Sequence, residues 1–408
     1  MEVTVTRQIR DYEPIVGRDE IESIISLAER VKGAKIIHIN ATSYGGGVAE
    51  ILKSLIPLAR SVGLDAKWQV LHGSKEFFAT TKSIHNALQG NTSIELTKSM
   101  QEVYLKINDL NAKNLDLDGD VIVIHDPQPL PLIRYRQNGK WVWRCHIDTS
   151  QPNKHVWNFL KPFVERYDAL VFSREIYIPD DVKGVKVFVR YPSIDPLSDK
   201  NRPLHQTEIL KVLERFGLDP DKPIIGQVAR FDPWKNPLGV IDTYRRVKEK
   251  IPEVQLALIG SFAHDDPEGV EWYEKTVRYA EGLKDVYVLT NMDGVHDVEV
   301  NAFQRAFTVA LQLSIKEGFG LTVSEALWKG VPVVATRVGG IPLQVINEVT
   351  GFLVNDTDEA AEKVLLLLKR VWLARELGRN GVEHVKRNFL ITKDLKDYLR
   401  LHIELVGK

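Results

Sequence analysis

Sulfur is scarce in this chain of 408 residues, which holds one cysteine and three methionines. A lone cysteine cannot close an intrachain disulfide, so the fold must stand without staples, and a reducing cytoplasm is the expected compartment. Net charge is nearly absent too. The 54 Lys and Arg against 55 Asp and Glu leave −1, so no global field recruits nucleic acid or an anionic membrane. Long apolar runs are missing: none approaches the ~20 residues of a membrane span. The opening MEVTVTRQIRDYEP lacks the apolar centre of a signal peptide. There is no internal repeat and no low-complexity tract. What remains is the composition of a globular protein, 44% hydrophobic and 27% charged, long enough for two domains of about 200 residues. Cys145 lies inside the apolar run WVWRCHID and reads as core rather than as a nucleophile.

Apolar runs alternate with amphipathic segments along the whole chain. KIIHIN, AKWQVL, VIVIHD, WVWRCHID, DALVFS and KVFVRYP read as strands in the first half. IIGQVAR, VQLALIG, VYVLTN, FTVALQLS, VPVVAT and FLV do so in the second. The segments between them carry a helical period, as in DEIESIISLAERV, where Ile21, Ile24, Ile25, Ala28 and Val31 share a face. Strands regularly separated by helices predict an α/β fold with parallel sheets covered on both sides. PSIDPLSDKNRPLHQ, Pro192 to Gln206, cannot continue either element and reads as a linker. The expected domains are 1–195 and 200–385, with a late helix over 386–408.

The rest is arranged around EGFGLTVSEALWKG, Glu317 to Gly330. A buried strand precedes it, Gly318 and Gly320 allow a sharp bend, and a helical pattern runs from Thr322 to Gly330. This geometry directs backbone N–H groups and a positive dipole end at one spot, suited to an anion. Glu317 and Glu325 flank that spot. Thr322-x-x-Glu325 also fits a capping box, in which Glu325 would only close its own helix. The next strand, VPVVAT, runs into a second glycine turn, with Pro342 where a helix would begin. Two such turns side by side form a crevice at the carboxyl edge of a parallel sheet.

Other strand ends carry chemistry of their own. Arg230 and Lys235 lie on a loop stiffened by two prolines, and a guanidinium with an ammonium suits a diphosphate leaving group. Gly45, Gly46 and Gly47 open a helix after KIIHIN, without the pattern of a dinucleotide fingerprint. They are either a phosphate or sugar approach site or a tight turn that needs small residues. His125 and Asp126 end one strand, and His146 and Asp148 follow another; polar groups there suit sugar hydroxyls. Their spacing fits no compact zinc pattern, and no metal is expected. Lys82, His85 and Asn86 share one helical face.

The Glu-x7-Glu pair around Gly-Phe-Gly resembles the nucleotide-sugar site of retaining glycosyltransferases of the glycogen synthase and sucrose synthase kind. That resemblance implies the GT-B fold, two Rossmann-like domains with the active site in the cleft between them. It places Glu317 on hydroxyls of the donor sugar and Glu325 on the ribose. Gly318, Phe319, Gly320, Leu321 and Thr322 line the donor, Arg230 and Lys235 clamp its phosphates, and Gly46 and Gly47 lie beside it. It also implies a late helix crossing back onto the first domain. FFATTKSIHNALQG, HDPQP and WRCHID resemble, more narrowly, trehalose synthases of the glycosyltransferring type and trehalose phosphorylases. On that likeness Asp126 contacts the acceptor, together with Lys82, His85, Asn86 and Asp148, and His146 lies by the transferring sugar. One departure stands out: many relatives carry Glu directly after GGIP, where this chain has Leu343 and then Gln344.

The expected activity is transfer of glucose from UDP- or ADP-glucose to glucose, with retention, giving trehalose. Trehalose phosphorylase is the nearest alternative and a UDP-sugar 2-epimerase-like isomerase a further one. A periplasmic sugar binder would need a signal peptide. No tightly bound cofactor is expected, and a Mg2+ requirement is not legible in the residues. The expected partners are small molecules, with neither nucleic acid nor membrane, in a chain that acts alone or as a homodimer.

Overall fold

The computed structural model describes residues 7–44, 46–261 and 267–407. Gly45, and the first residues of the opening segment, lie outside these. The chain divides into two compact units, one running to Ser193 and resuming at Ile391, the other Ile194–Leu390. The helix Val371–Asn388 runs through the expected boundary at 385, and the division falls where that helix has ended.

The first unit is built on six parallel strands: β1 (Lys35–Asn40), β2 (Asp65–Val70), β3 (Val121–His125), β4 (Lys140–Cys145), β5 (Ala169–Phe172) and β6 (Lys186–Val189), in the order β2-β1-β3-β4-β5-β6. Because side chains alternate along a strand, the sheet has two different faces. Ile37, Ile39, Ile122, Ile124, Trp141, Trp143 and Cys145 pack on one side against the helices Lys75–Leu88, Lys98–Asn114 and Lys154–Val164. Each such side chain, fully buried, contributes roughly 1.5–3 kcal/mol. The alternate residues His38, His125 and Arg144 belong to the other side, and all three are buried. The helices Arg18–Glu29, Gly47–Ser61 and Ile391–Val406 pack together, and Tyr398 of the last one meets His38 edge-on. The late helix therefore belongs to the first unit although the chain reaches it last.

The second unit repeats the plan with β7 (Ile224–Val228), β8 (Gln255–Gly260), β9 (Val286–Thr290), β10 (Val309–Gln312), β11 (Val333–Thr336) and β12 (Gly351–Val354). Their order is β12-β11-β10-β7-β8-β9, all parallel. Chain direction across this sheet reverses between β7 and β10, and across the first sheet between β1 and β3. Loops leaving two neighbouring strands part there and open a crevice at the carboxyl ends, where such sheets bind ligands.

Candidate active site

In the second unit the loops after β7 and β10 meet at that reversal. Asp232 accepts a hydrogen bond from the Lys235 amide at 3.1 Å, closing the turn Pro233–Lys235. Gln227 donates to the Lys235 carbonyl at 2.9 Å. The Ile315 amide donates to the Trp234 carbonyl at 2.7 Å, lacing the second loop to the first. The result is a fixed ammonium. Lys235 Nζ lies 2.6 Å from Glu317 Oε2, and Ser314 Oγ donates to the same oxygen at 3.4 Å. The Glu317 side chain is only 8% exposed. Arg230, 66% exposed, reaches back to Asp232 at 3.3 Å. Burial pushes the Asp232 carboxyl up, with Arg230 pulling against it.

Gly320 stands at φ +82° as N-cap of the helix Leu321–Trp328, and a Cβ there would press on the Glu317 side chain. The turn is held from behind. Phe319 packs edge-on against Phe389, its carbonyl accepts from Gln344 Nε2 at 2.5 Å, and Gly318 accepts from the Gly340 amide at 3.0 Å. A Cβ on Gly340 would come within 2.8 Å of Phe319 Cα, so only glycine lets the two turns approach this closely. Gln344, next to the place where relatives carry Glu, is thus an anchor of the turn. It also accepts from Ser324 Oγ at 2.6 Å.

The capping-box reading of Glu325 fails. Gly320 starts the helix, which puts Thr322 inside it, where its hydroxyl donates to Gln312 Oε1 at 3.3 Å. Glu325 instead points inward, 1% exposed. Lys200 lies 3.4 Å from its Oε1, and Gln304 lies 3.4 Å from its Oε2. Lys329, on the same helix end, donates to Asn201 Oδ1 at 2.8 Å, and burial lowers its ammonium pKa to about 7. Glu317 and Glu325 therefore have separate cations on separate elements. Neither stands free as a nucleophile.

In the first unit Asp126 ends β3 at φ +64°. Its amide donates to the Arg144 carbonyl at 2.9 Å, and its Oδ1 accepts from the His146 amide at 2.7 Å. Its carboxyl therefore fastens the end of β3 to the end of β4, and burial raises its pKa to about 7. His125 Nε2 lies 2.9 Å from His38 Nδ1, and His125 Nδ1 lies 3.1 Å from His146 Nε2. The imidazole nitrogens face one another in series rather than around a shared centre. Burial lowers the pKa of His38 to about 3 and holds His125 and His146 well below the usual range. Behind them lie Arg144, Arg190, Asp394 and His402, each with a buried nitrogen or oxygen that has no hydrogen-bond partner among the described residues.

The remaining expected residues scatter. Asp148 Oδ1 accepts from the Ser150 amide at 3.0 Å and from its hydroxyl at 2.6 Å, so that oxygen serves a local turn. Lys82, His85 and Asn86 share the outward side of the helix Lys75–Leu88, which follows the edge strand β2, two strands from β3. Gly46 stands at φ +148° with nothing within 4 Å of a would-be Cβ. Backbone conformation, not crowding, is what requires glycine there. Phe319, expected among donor-lining residues, turns its ring into the core at 5% exposure, while Leu321 and Thr322 are half-buried. Cys145 is fully buried and its thiol is pushed far up by desolvation, which ends any nucleophile reading. His38, Lys200, Gln304 and Gln344 carry no local sequence signal of their roles here.

Among solved structures, an α,α-trehalose-phosphate synthase (UDP-forming) from Burkholderia xenovorans in complex with glucose-6-phosphate is similar over 91% of this chain and 100% of its own. Its TM-score is 0.71 at 15% identity. A sucrose-phosphate synthase from Thermosynechococcus elongatus gives 0.67 at 18% identity, over 91% of this chain and 99% of its own. The fold is GT-B, and the family described as glycosyl transferases group 1 matches residues 210–384, so the class is a glycosyltransferase. The trehalose synthase N-terminal domain family matches residues 38–179. Trehalose synthases of Thermococcus litoralis and Rubrobacter xylanophilus are 55% and 48% identical, over 97% and 98% of this chain and 96% and 98% of theirs. The chain belongs to the trehalose synthase family. A trehalose phosphorylase of Grifola frondosa is 32% identical over 86% of this chain but only 54% of its own length.

Proposed function

We propose that the protein transfers glucose from a nucleoside diphosphate glucose to free glucose with retention, forming α,α-trehalose. The observation that carries this reading is the Lys235–Glu317 pair, an ammonium fixed at 2.6 Å beside the glycine turn and the start of the helix Leu321–Trp328. A cation held in place there, with the exposed guanidinium of Arg230 nearby, suits a diphosphate whose negative charge grows as the bond to the sugar breaks. The anomeric carbon loses the phosphate oxygen and gains the acceptor oxygen on the same face. The acceptor's hydroxyl proton goes to the departing phosphate, so no protein nucleophile is needed. Asp126 and His146 are assigned to the acceptor and the transferring sugar, Glu317 to donor hydroxyls. Glu325 would meet the ribose only by exchanging its Lys200 partner for those hydroxyls.

The names of the relatives support trehalose as the product. Phosphorolysis is the second reading, favoured by the trehalose phosphorylases among them, in which inorganic phosphate takes the nucleotide's place. Incubation with glucose plus UDP-glucose, ADP-glucose or glucose 1-phosphate, with trehalose assayed, separates the readings. Trehalose from glucose 1-phosphate alone would overturn the first, and no trehalose from any donor would overturn both.

A further inference from the structure

Three histidines on three neighbouring strands form an unbroken chain: His38 on β1, His125 at the end of β3 and His146 just past β4. The contacts are Nδ1 to Nε2 at 2.9 Å and again Nδ1 to Nε2 at 3.1 Å. Desolvation keeps all three rings neutral near pH 7, so each has one N–H and one lone pair. Only two proton arrangements then make both hydrogen bonds. Either every ring carries its proton on Nδ1, or every ring carries it on Nε2. A half-and-half state leaves two lone pairs or two N–H groups facing each other. The tautomer of His146 is thus coupled to that of His38, two strands away.

Two guanidiniums belong to the layer that holds His38. Tyr398 meets the His38 ring edge-on at 5.4 Å, and the Arg190 guanidinium lies 5.1 Å from the centre of the Tyr398 ring. Arg144 faces the same layer from β4, and its Nη2 donates to the Arg190 carbonyl at 2.9 Å. From the helix Ile391–Val406 come Asp394, bonded by Ser193 Oγ at 3.0 Å, and His402, held neutral by burial. Against the Arg144 and Arg190 guanidiniums stand Asp394, which burial biases toward its neutral form, and Asp397. A lone pair on His38 Nε2 suits that surrounding better than an N–H does.

We propose that His38 and His125 are positioning residues that hold His146 as an Nδ1–H donor, aimed at the transferring sugar if the function proposed above is right. An isolated neutral imidazole favours the opposite tautomer, so this arrangement is diagnostic. In retaining transfer the sugar passes through a cation-like state in which its oxygens shift charge. A neutral donor with a fixed proton holds a sugar hydroxyl in place without adding positive charge beside that state. A chain that merely satisfied buried polarity would do equally well in either direction.

The test uses the full chain labelled with 15N only at histidine, its long-range proton–nitrogen spectrum recorded at neutral pH and its 11 histidines assigned by single variants. His38, His125 and His146 are each expected to show a protonated Nδ1 and a bare Nε2. His38→Leu should leave His125 and His146 as mixed tautomers and lower kcat about tenfold, one hydrogen bond's worth of transition-state stabilisation. Affinity for UDP or ADP should hold. His38→Asn, whose amide nitrogen stands near the Nδ1 position, should restore both the spectrum and most of the lost turnover. His146 protonated on Nε2 in the wild type overturns the proposal, and so does a His38→Leu variant with unchanged His146 signals and turnover. If His38→Leu does not fold, the wild-type spectrum and His38→Asn decide. The spectrum needs no turnover, so it stands apart from whether trehalose is the product.

Discussion

Replacing Asp126 by Asn and by Ala separates what its carboxyl does for the fold from what its charge does for a sugar. The residue stands at φ +64° and its Oδ1 accepts the His146 amide at 2.7 Å. Asn tolerates the left-handed region and offers a carbonyl oxygen at the same place, so Asp126→Asn should fold with little loss. Ala loses the hydrogen bond, at about 1–3 kcal/mol, and adds about 1–2 kcal/mol of backbone strain. Together these lower the melting transition of the first unit by roughly 4–20 °C at ~2–4 °C per kcal/mol for a unit of this size. Function should part company with stability. Burial places the carboxyl's pKa at about 7, so the wild type should gain turnover as pH rises through 7 and the carboxylate forms. Asp126→Asn should lack that inflection and need far more glucose, with affinity for UDP or ADP intact. Calorimetric melting, isothermal titration with UDP and ADP, and glucose dependence across pH on one preparation give the answer. If Asp126→Asn is stable and keeps the wild-type glucose dependence and pH profile, the acceptor assignment is wrong. If it melts as early as the alanine variant, the account of the strand-end bond is wrong instead.

Glu317→Ala leaves the Lys235 ammonium, only 16% exposed, without its partner, and should both cut turnover and lower the stability of the second unit by a few kcal/mol. Adding Lys235→Met should recover the melting temperature but not the turnover, and recovery of both would remove the pair from the site. Arg230→Ala should leave stability within about 0.5 kcal/mol, since the side chain is exposed. It should also weaken UDP or ADP binding about ten- to a hundredfold by titration calorimetry, and unchanged affinity would take Arg230 out of the clamp. Acid should unfold the first unit. His38, His125, His146 and His402 titrate below 6.5 in the fold, so the unfolded chain binds more protons and their stabilising effect, complete above 6.5, is lost as pH falls toward 3. Each contributes up to ~1.4 kcal/mol per pH unit, while Asp126 and Asp394, with raised values, oppose them. A first-unit melting temperature that stayed flat from pH 7 to 5 would contradict the neutral histidine chain.

The strands were legible because short, nearly continuous apolar runs mark parallel strands covered on both faces. All twelve expected runs correspond to β1 through β12. The meeting of Lys235 and Glu317 was legible because each lies in a loop just past a strand, and a parallel sheet brings such loops to one edge. Thr-x-x-Glu left a capping role open for Glu325 beside the ribose role that the resemblance implies. The φ of +82° at Gly320 starts the helix two residues ahead of Thr322, and nothing in Thr-x-x-Glu reveals that. Its real partners come from far along the chain: Lys200 precedes it by 125 positions and Gln304 by 21. His38 inside KIIHIN looks like any polar residue in a buried strand. Its contact with His125 depends on β1 pairing with β3 rather than only with β2, and on register, which pairs His38 with Val123. Topology supplies that information, not local pattern.

Buried carboxyls are handled differently in the two units, and the proposed chemistry accounts for the difference. In the second, Glu317 lies against Lys235 and Glu325 against Lys200. In the first, the groups at the strand ends shed charge. The histidines are neutral, and Asp126 sits near its midpoint at neutral pH. A desolvated ion is tolerated only beside its counterion, whereas a neutral donor or acceptor needs only a hydrogen bond. On the proposed reaction a diphosphate gathers negative charge as it leaves, and only fixed cations can stabilise it strongly. Sugar hydroxyls change little in charge, and what selects them is a donor or acceptor in the right place. A protonated His146 would bind hydroxyls more strongly but less selectively, holding ground state and transition state alike. Neutral groups of fixed tautomer discriminate by geometry. On that reaction the buried histidine chain would face a sugar and the Lys235–Glu317 pair the leaving phosphate.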